Sequence, residues 1–294
     1  MGLEESYKRR AYSVFSSHLD SVLPYFDSLK PDIQKAAINI SLREYLSMLF
    51  VTPLVVFGLE MPLLLLITSL LPGFDMFLSF MFSLSVSLFF SIVTFFLFYI
   101  YPSLRVSERK RKIDFVLPFA TIYLATASGG NAPHYVMFKV LGEFEEFGEL
   151  SKESLKIGRD CESFGLSIQE AIKNVAARSP SEEFKELLWG ISTTLSAGGN
   201  LTQYLHEKSV NFMQDYRRTL EKYNASVTTM LQVYLTLVIV GSIFFIVMTA
   251  IMGVFGLAEG FRELIVLSQF LVVFFGLPMI SMGFIFVIKR MSPK

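Results

Sequence analysis

The chain has 294 residues, 52% of them hydrophobic, with 26 Lys+Arg against 26 Asp+Glu and a formal net charge of zero. Charged residues make up 18%, below the roughly 25% of ordinary soluble proteins, and a neutral chain of this kind is not a nucleic-acid binder. One cysteine, Cys161, and three scattered histidines, His18, His134 and His206, exclude an internal disulfide framework and argue against a metal site, so no cofactor is expected.

The charges are unevenly placed. Of the Lys and Arg residues, 6 lie in 1–47, 16 in 103–226 and 4 beyond. Two long blocks are almost free of charge, which predicts a multi-pass membrane protein with a polar domain between its spans. Residues 1–45 read as an N-terminal helical segment on the cytoplasmic side. Met1-Gly2-Leu3-Glu4-Glu5-Ser6 fits a loose myristoylation pattern, which a protein with several spans does not need.

Residues 46–102 predict the first transmembrane hairpin. A span needs roughly 20 apolar residues, and 46–71 and 76–101 both supply them around the turn Pro72-Gly73-Phe74-Asp75. Glu60 interrupts the first span. An intramembrane acid is a functional candidate, although Pro53, Gly58 and Pro62 offer the plainer reading that a broken helix lets it reach water or a neighbouring helix. Pro102 is expected to end the second span and act as a hinge.

Residues 103–226 predict six helices, A to F. Helix A covers about 109–128 and stops at Gly129-Gly130. Asn131 or Ala132 starts helix B, with Pro133 early in it. Ser151 caps helix C, which ends near Gly165, and Ser167-Ile168-Gln169-Glu170 is a capping box for helix D. Ser179-Pro180-Ser181-Glu182 opens helix E with Ser179 as the cap. Helix E stops at Gly198-Gly199, and Asn200 begins helix F. The pattern Gly-Gly-Asn followed by a tyrosine recurs at an offset of 69 residues, at Gly129, Gly130, Asn131, Tyr135 and at Gly198, Gly199, Asn200, Tyr204. Two three-helix repeats packed antiparallel are the expected arrangement. The left-handed backbone positions are expected among these glycines.

Helix F has neither glycine nor proline between Leu201 and Val240 and runs into the apolar block that begins at Val227. Residues 227–288 predict the second hairpin, spans 227–255 and 264–288, and 289–294 a cytoplasmic basic tail. The basic clusters at 8–10, 105–112 and 289–294 all fall on one side, whereas the outer turns hold Arg262 against Asp75, Glu259 and Glu263. By the positive-inside rule both termini and the central domain are cytoplasmic. Three Asn-X-Ser/Thr matches lie on that inner side and are read as chance.

No phosphate-binding loop, dinucleotide fingerprint, zinc-protease motif or nucleophile elbow is present, and no residue set suggests catalysis, so the chain is read as a non-enzyme. The acid pairs Glu145/Glu146 and Glu182/Glu183 read as solvated surface. The sum is an all-α membrane protein with four transmembrane helices in two hairpins flanking a six-helix bundle.

That plan resembles the type II secretion F-domain family. The likeness lies in Ala127-Ser128-Gly129-Gly130, in the G-x-S-x-x-E-A run from Gly165 to Ala171, and in Gly198-Gly199-Asn200-Leu201-Thr202-Gln203-Tyr204-Leu205. These are inner-membrane platform proteins of type II secretion, type IV pili, tight-adherence pili and the archaellum. The resemblance implies a mechanical part in prokaryotic filament assembly or protein secretion. A hexameric secretion ATPase would work on the platform from the cytoplasm, and pilin-like subunits would be its cargo. Many members carry two F domains and this sequence one, which predicts a homodimer or a pair with a sister F-domain subunit. Arg105, Arg109, Lys110, Arg111 and Lys112 are expected to form part of the ATPase docking face, or to touch anionic membrane lipid at about 1 kcal/mol per charge. The alternative function is a transporter or channel subunit using Glu60.

Overall fold

The computed structural model describes residues 23–70, 75–130, 132–254, 267 and 270–291. Among them every regular element is helical. The myristoylation pattern, Lys8–Arg10, most of both outer turns, Asn131 and residues 292–294 lie outside the described residues. The chain divides into two compact units, Met1–His206 and Glu207–Lys294.

The first unit begins with a 3₁₀ turn, Leu23–Phe26, and the short helix α1, Leu29–Lys35. Helix α2, Leu42–Ser69, opens with a full capping box, in which Ser41 Oγ accepts from Glu44 N and Glu44 Oε2 accepts from Ser41 N at 2.8 Å. Helix α3, Met76–Ala127, returns antiparallel to it. Ser79, Ser83 and Ser87 recur every fourth residue on the buried face of α3, and small side chains of this kind let two helices approach closely. Thr68 Oγ1 and Ser83 Oγ stand 3.3 Å apart, and Ser91 Oγ donates to the Pro53 carbonyl at 3.0 Å.

Pro102 is buried inside α3, which continues through it. This corrects the expected hinge, and the reason is local. A proline at 102 has no N–H to give the carbonyl four residues back, that of Phe98. The Tyr45 hydroxyl donates to that carbonyl instead, at 2.6 Å. The freed acceptor is satisfied from the neighbouring helix, and α3 keeps its axis from the apolar stretch into the polar domain. Leu29, Ile33, Tyr45, Leu46, Met48 and Leu49 form a buried cluster beside this joint, flanked by Phe26, Phe50, Phe95 and Phe98.

The polar domain adds α4, His134–Glu143, a 3₁₀ turn, Glu145–Phe147, then α5, Glu149–Phe164, α6, Ile168–Arg178, and α7, Glu182–Ser196. Helix α8, Leu201–Val254, starts in this unit and carries the chain into the second. Ile113, Leu117, Ala120 and Leu124 of α3, spaced at four, three and four residues, form the stripe that the smaller helices cover. Helices α4 and α5 meet through two glycines. A Cβ at Gly142 would stand 2.8 Å from the Leu155 backbone N, and one at Gly158 3.0 Å from the Lys139 Cα. Each glycine receives the other helix's backbone.

Several boundaries differ from expectation. Gly148, at φ 55°, and not Ser151, precedes α5, and the Ser151 hydroxyl donates to the Phe144 carbonyl. Pro133 flanks α4 and does not enter it. Ser181, not Ser179, caps α7, accepting from Phe184 N at 3.0 Å. The two Gly-Gly turns are unlike each other. Gly198 takes the left-handed conformation at φ 67°, as does Gly165 at φ 66°, whereas Gly129, Gly130 and Gly199 do not.

In the second unit, a π-helical turn, Val272–Gly276, leads into α9, Leu277–Met291. Tyr234 of α8 meets α9 through Ser281, 2.9 Å away, and through the Phe284 ring at 5.1 Å. Among the described residues three helices, α2, α3 and α8, are long and apolar enough to cross a membrane, and Phe274–Lys289 is a shorter apolar helix.

Candidate functional site

The polar part of α3 carries the predicted basic run, and the fold divides it. Arg105 and Lys112 both reach Glu108 at the surface, at 3.3 and 2.6 Å. The hydrogen bond from Lys112 and its charge, with help from Arg105, hold the Glu108 carboxyl below the usual range. Lys110 and Arg111 are exposed. Arg109 departs from expectation: it is 3% exposed and turned inward, so it is absent from any outward docking face.

Its guanidinium makes three bonds. Nε donates to Glu149 Oε2 at 2.7 Å, Nη2 donates to Glu153 Oε1 at 2.7 Å, and Nη1 donates to the Lys35 carbonyl at the end of α1. Lys152 and Lys156 add a second cation to each acid, at 2.9 Å in both cases. Burial pushes the Glu149 carboxyl up, but hydrogen bonds and charge from Lys152 and Arg109 outweigh it and bring the group down to about 2. A planar guanidinium suits this role, since its fork satisfies two carboxylates and a carbonyl at once. Arg109 thereby ties three elements together, α1, α3 and α5.

Beyond this cluster Ser181 donates to the Asp114 carboxylate while capping α7. Burial raises Asp114, opposed by the Ser181 hydrogen bond and the charge of Lys110. The α3 helix thus orients the first turn of α7 through a side chain, which explains the shift of the cap from Ser179 to Ser181.

Glu149, Glu153, Asp114 and the α1 contact were not singled out from the sequence. A signal for Arg109 existed. It lies four residues before Ile113 and eight before Leu117, on the buried stripe of α3. Glu60 is half-buried on α2 and has no ion pair among the described residues. Among the described residues no group of three His, Cys, Asp or Glu is placed to hold a metal ion.

The geometry defines a class: among the described residues, an all-helical membrane protein whose polar helices are built onto the continuation of one of two antiparallel apolar helices long enough to cross a bilayer. Residues 120–249 match the family described as "Type II secretion system (T2SS), protein F". That stretch of the chain, from α3 to α8, is similar to the F domain of type II secretion systems.

Among curated proteins, the chain is similar to Flagella accessory protein J of Methanocaldococcus jannaschii, 32% identical over 117 residues, covering 40% of this chain and 21% of that protein. An uncharacterized protein of the same organism is 28% identical over 126 residues, 43% of this chain and 21% of that one. Flagella accessory protein J of Methanococcus voltae is 24% identical over 172 residues, 58% and 30% of the two chains. The matched stretch therefore spans a third or less of each relative's length. No solved structure matches the chain.

Proposed function

We propose that this protein is a platform subunit of the prokaryotic inner membrane that couples a cytoplasmic hexameric secretion ATPase to assembly of a pilus- or archaellum-like filament, or to type II secretion. The observation that carries this reading is the F-domain match over 120–249, which begins on α3 and ends on α8, two of the three helices able to span a membrane. A domain of that family attached through both of its end helices to apolar spans suits a part that receives force and passes it on. The names of the archaeal relatives support a filament system.

The finer organisation belongs to the same proposal. Residues 1–45 and 103–226 are cytoplasmic, with hairpins at 46–102 and 227–288 giving four spans and a basic tail at 289–294. The six helices of 103–226 form two related halves. The chain works as a homodimer or beside a sister F-domain subunit, moves pilin-like cargo and performs no catalysis of its own.

The ATPase docks in part on the exposed remainder of the basic run, Lys110 and Arg111 with Arg105 and Lys112. Arg109 serves behind that face by holding α1 and α5 to α3. The test uses the full chain in lipid nanodiscs with the partner secretion ATPase. Lys110→Glu with Arg111→Glu is expected to weaken binding at least tenfold, roughly 1.4 kcal/mol, and to lower its salt dependence, with insertion unchanged. Unaltered ATPase affinity in the double variant sinks the docking assignment.

A further inference from the structure

Within the first unit two things join the apolar hairpin to the polar domain. One is α3 itself, which passes through Pro102. The other is α1. Among the described residues α2 packs on α1 and α3, and on none of α4 to α7 to a comparable extent, whereas α1 packs on α2, α3 and α6. The short helix is attached on both sides of the proline. On the hairpin side Leu29 and Ile33 are buried in one cluster with Tyr45, Leu46 and Leu49, beside Phe95 and Phe98. On the domain side the Lys35 carbonyl accepts from Arg109, about 10 Å along α3 beyond Pro102.

The way α1 ends leaves that carbonyl to Arg109. Ala37 N donates to the Gln34 carbonyl at 3.1 Å and Ile38 N to the Ile33 carbonyl at 3.2 Å, the Schellman pattern. This pattern needs a left-handed residue, and Ala37 supplies it at φ 52°, the one non-glycine with positive φ among the described residues. A β-carbon in that conformation disfavours it about fivefold to thirtyfold. Seven residues are also too few for a helix to persist alone. Contacts therefore seat α1 against its own local preference. The polar domain has other supports, since α4, α5 and α7 pack on α3 directly. Pro102 does not. It deprives α3 of one hydrogen bond, and the replacement comes from Tyr45, which belongs to the cluster that holds Leu29 and Ile33.

We propose that α1 is a removable splint across Pro102: seated, it keeps α3 straight, and withdrawn, it lets α3 bend there and the polar domain swing on the hairpin. Release of α1 and loosening of the Tyr45 contact go together, because both rest on one cluster. The device stands apart from the platform reading and holds whichever partner acts on the domain.

The test follows the bend in the full chain in lipid nanodiscs. Asp75→Cys and Thr126→Cys, both at exposed positions, carry a donor and an acceptor dye in a Cys161→Ser background, about 76 Å apart along a straight α3. Single-molecule energy transfer in this parent is expected to show a dominant low-transfer population. Ile33→Ala removes part of the seat and is expected to raise a higher-transfer population at least tenfold. Adding Ala37→Gly relieves the β-carbon and is expected to cut that population at least threefold. Adding Pro102→Ala instead restores the missing N–H and is expected to abolish it. No rise in Ile33→Ala overturns the proposal, and so does a rise that either added substitution leaves unchanged. Hydrogen exchange separates release of α1 from general unfolding. In Ile33→Ala, residues 29–35 and 99–106 should exchange at least tenfold faster together, with α4 and α5 unchanged. Faster exchange throughout the domain overturns the splint as well.

Discussion

Arg109 concentrates more of the fold's energetics than its neighbours in the basic run. A buried charge is tolerated only while paired, and removing one member of a buried pair costs roughly 3–5 kcal/mol because the other charge is left uncompensated. Arg109→Met leaves Glu153, which is 2% exposed, with only the half-exposed Lys156 as its cation. The full chain in detergent should therefore unfold at clearly lower denaturant, whereas Lys110→Met should leave the midpoint nearly unchanged. Glu149 gives the cluster a pH signature. Its folded value of about 2 lies below the roughly 4.3 of an unfolded glutamate, so its contribution is complete above that unfolded value. The contribution is lost as pH falls from about 5 towards 2. Glu149→Gln should be less stable than the parent at pH 7 and should lose less on acidification, in unfolding curves taken at pH 7, 5 and 3.

Among the elements, α3 decides how the polar domain is joined to the hairpin. Proline inside a helix forfeits a hydrogen bond and usually costs about 3 kcal/mol. Here the Tyr45 hydroxyl takes up the Phe98 carbonyl that Pro102 leaves free. Tyr45→Phe leaves that acceptor without a donor at a packed joint. Amide hydrogen exchange over residues 99–106 should then accelerate, by about tenfold for a loss of roughly 1.4 kcal/mol, while exchange in α4 and α5 stays as it was. Equal exchange in both proteins counts against the joint. The α4–α5 pair shows the complementary case, in which closeness is set by what is missing, since the glycines at 142 and 158 leave no side chain between the two backbones.

For the molecule as a whole, the charge distribution sets the expected topology. Cysteines placed at Asp75 and Glu259 in a Cys161→Ser background should react with an impermeant maleimide on intact cells, and one at Glu146 only after lysis. Labelling of Glu146→Cys from outside overturns the orientation. By itself the sequence determined the class, because two charge-poor blocks and a glycine- and cap-punctuated polar block are one-dimensional signals of spans and short helices. It determined the capping box at Ser167 and Glu170 for the same reason, since its partners sit three residues apart. It also carried the F-domain likeness in the run from Gly165 to Ala171. Tertiary structure alone decided whether Pro102 breaks the chain, because the donor that repairs it stands 53 residues away on another helix. It alone turned Arg109 inward, because the two acids that receive it lie 40 and 44 residues on, and the carbonyl 74 residues back. It alone moved the α7 cap to Ser181, through an aspartate 67 residues earlier. Hydrogen bonds within a turn are written in spacing. Those between elements depend on packing, which brings distant residues together only after the helices have formed.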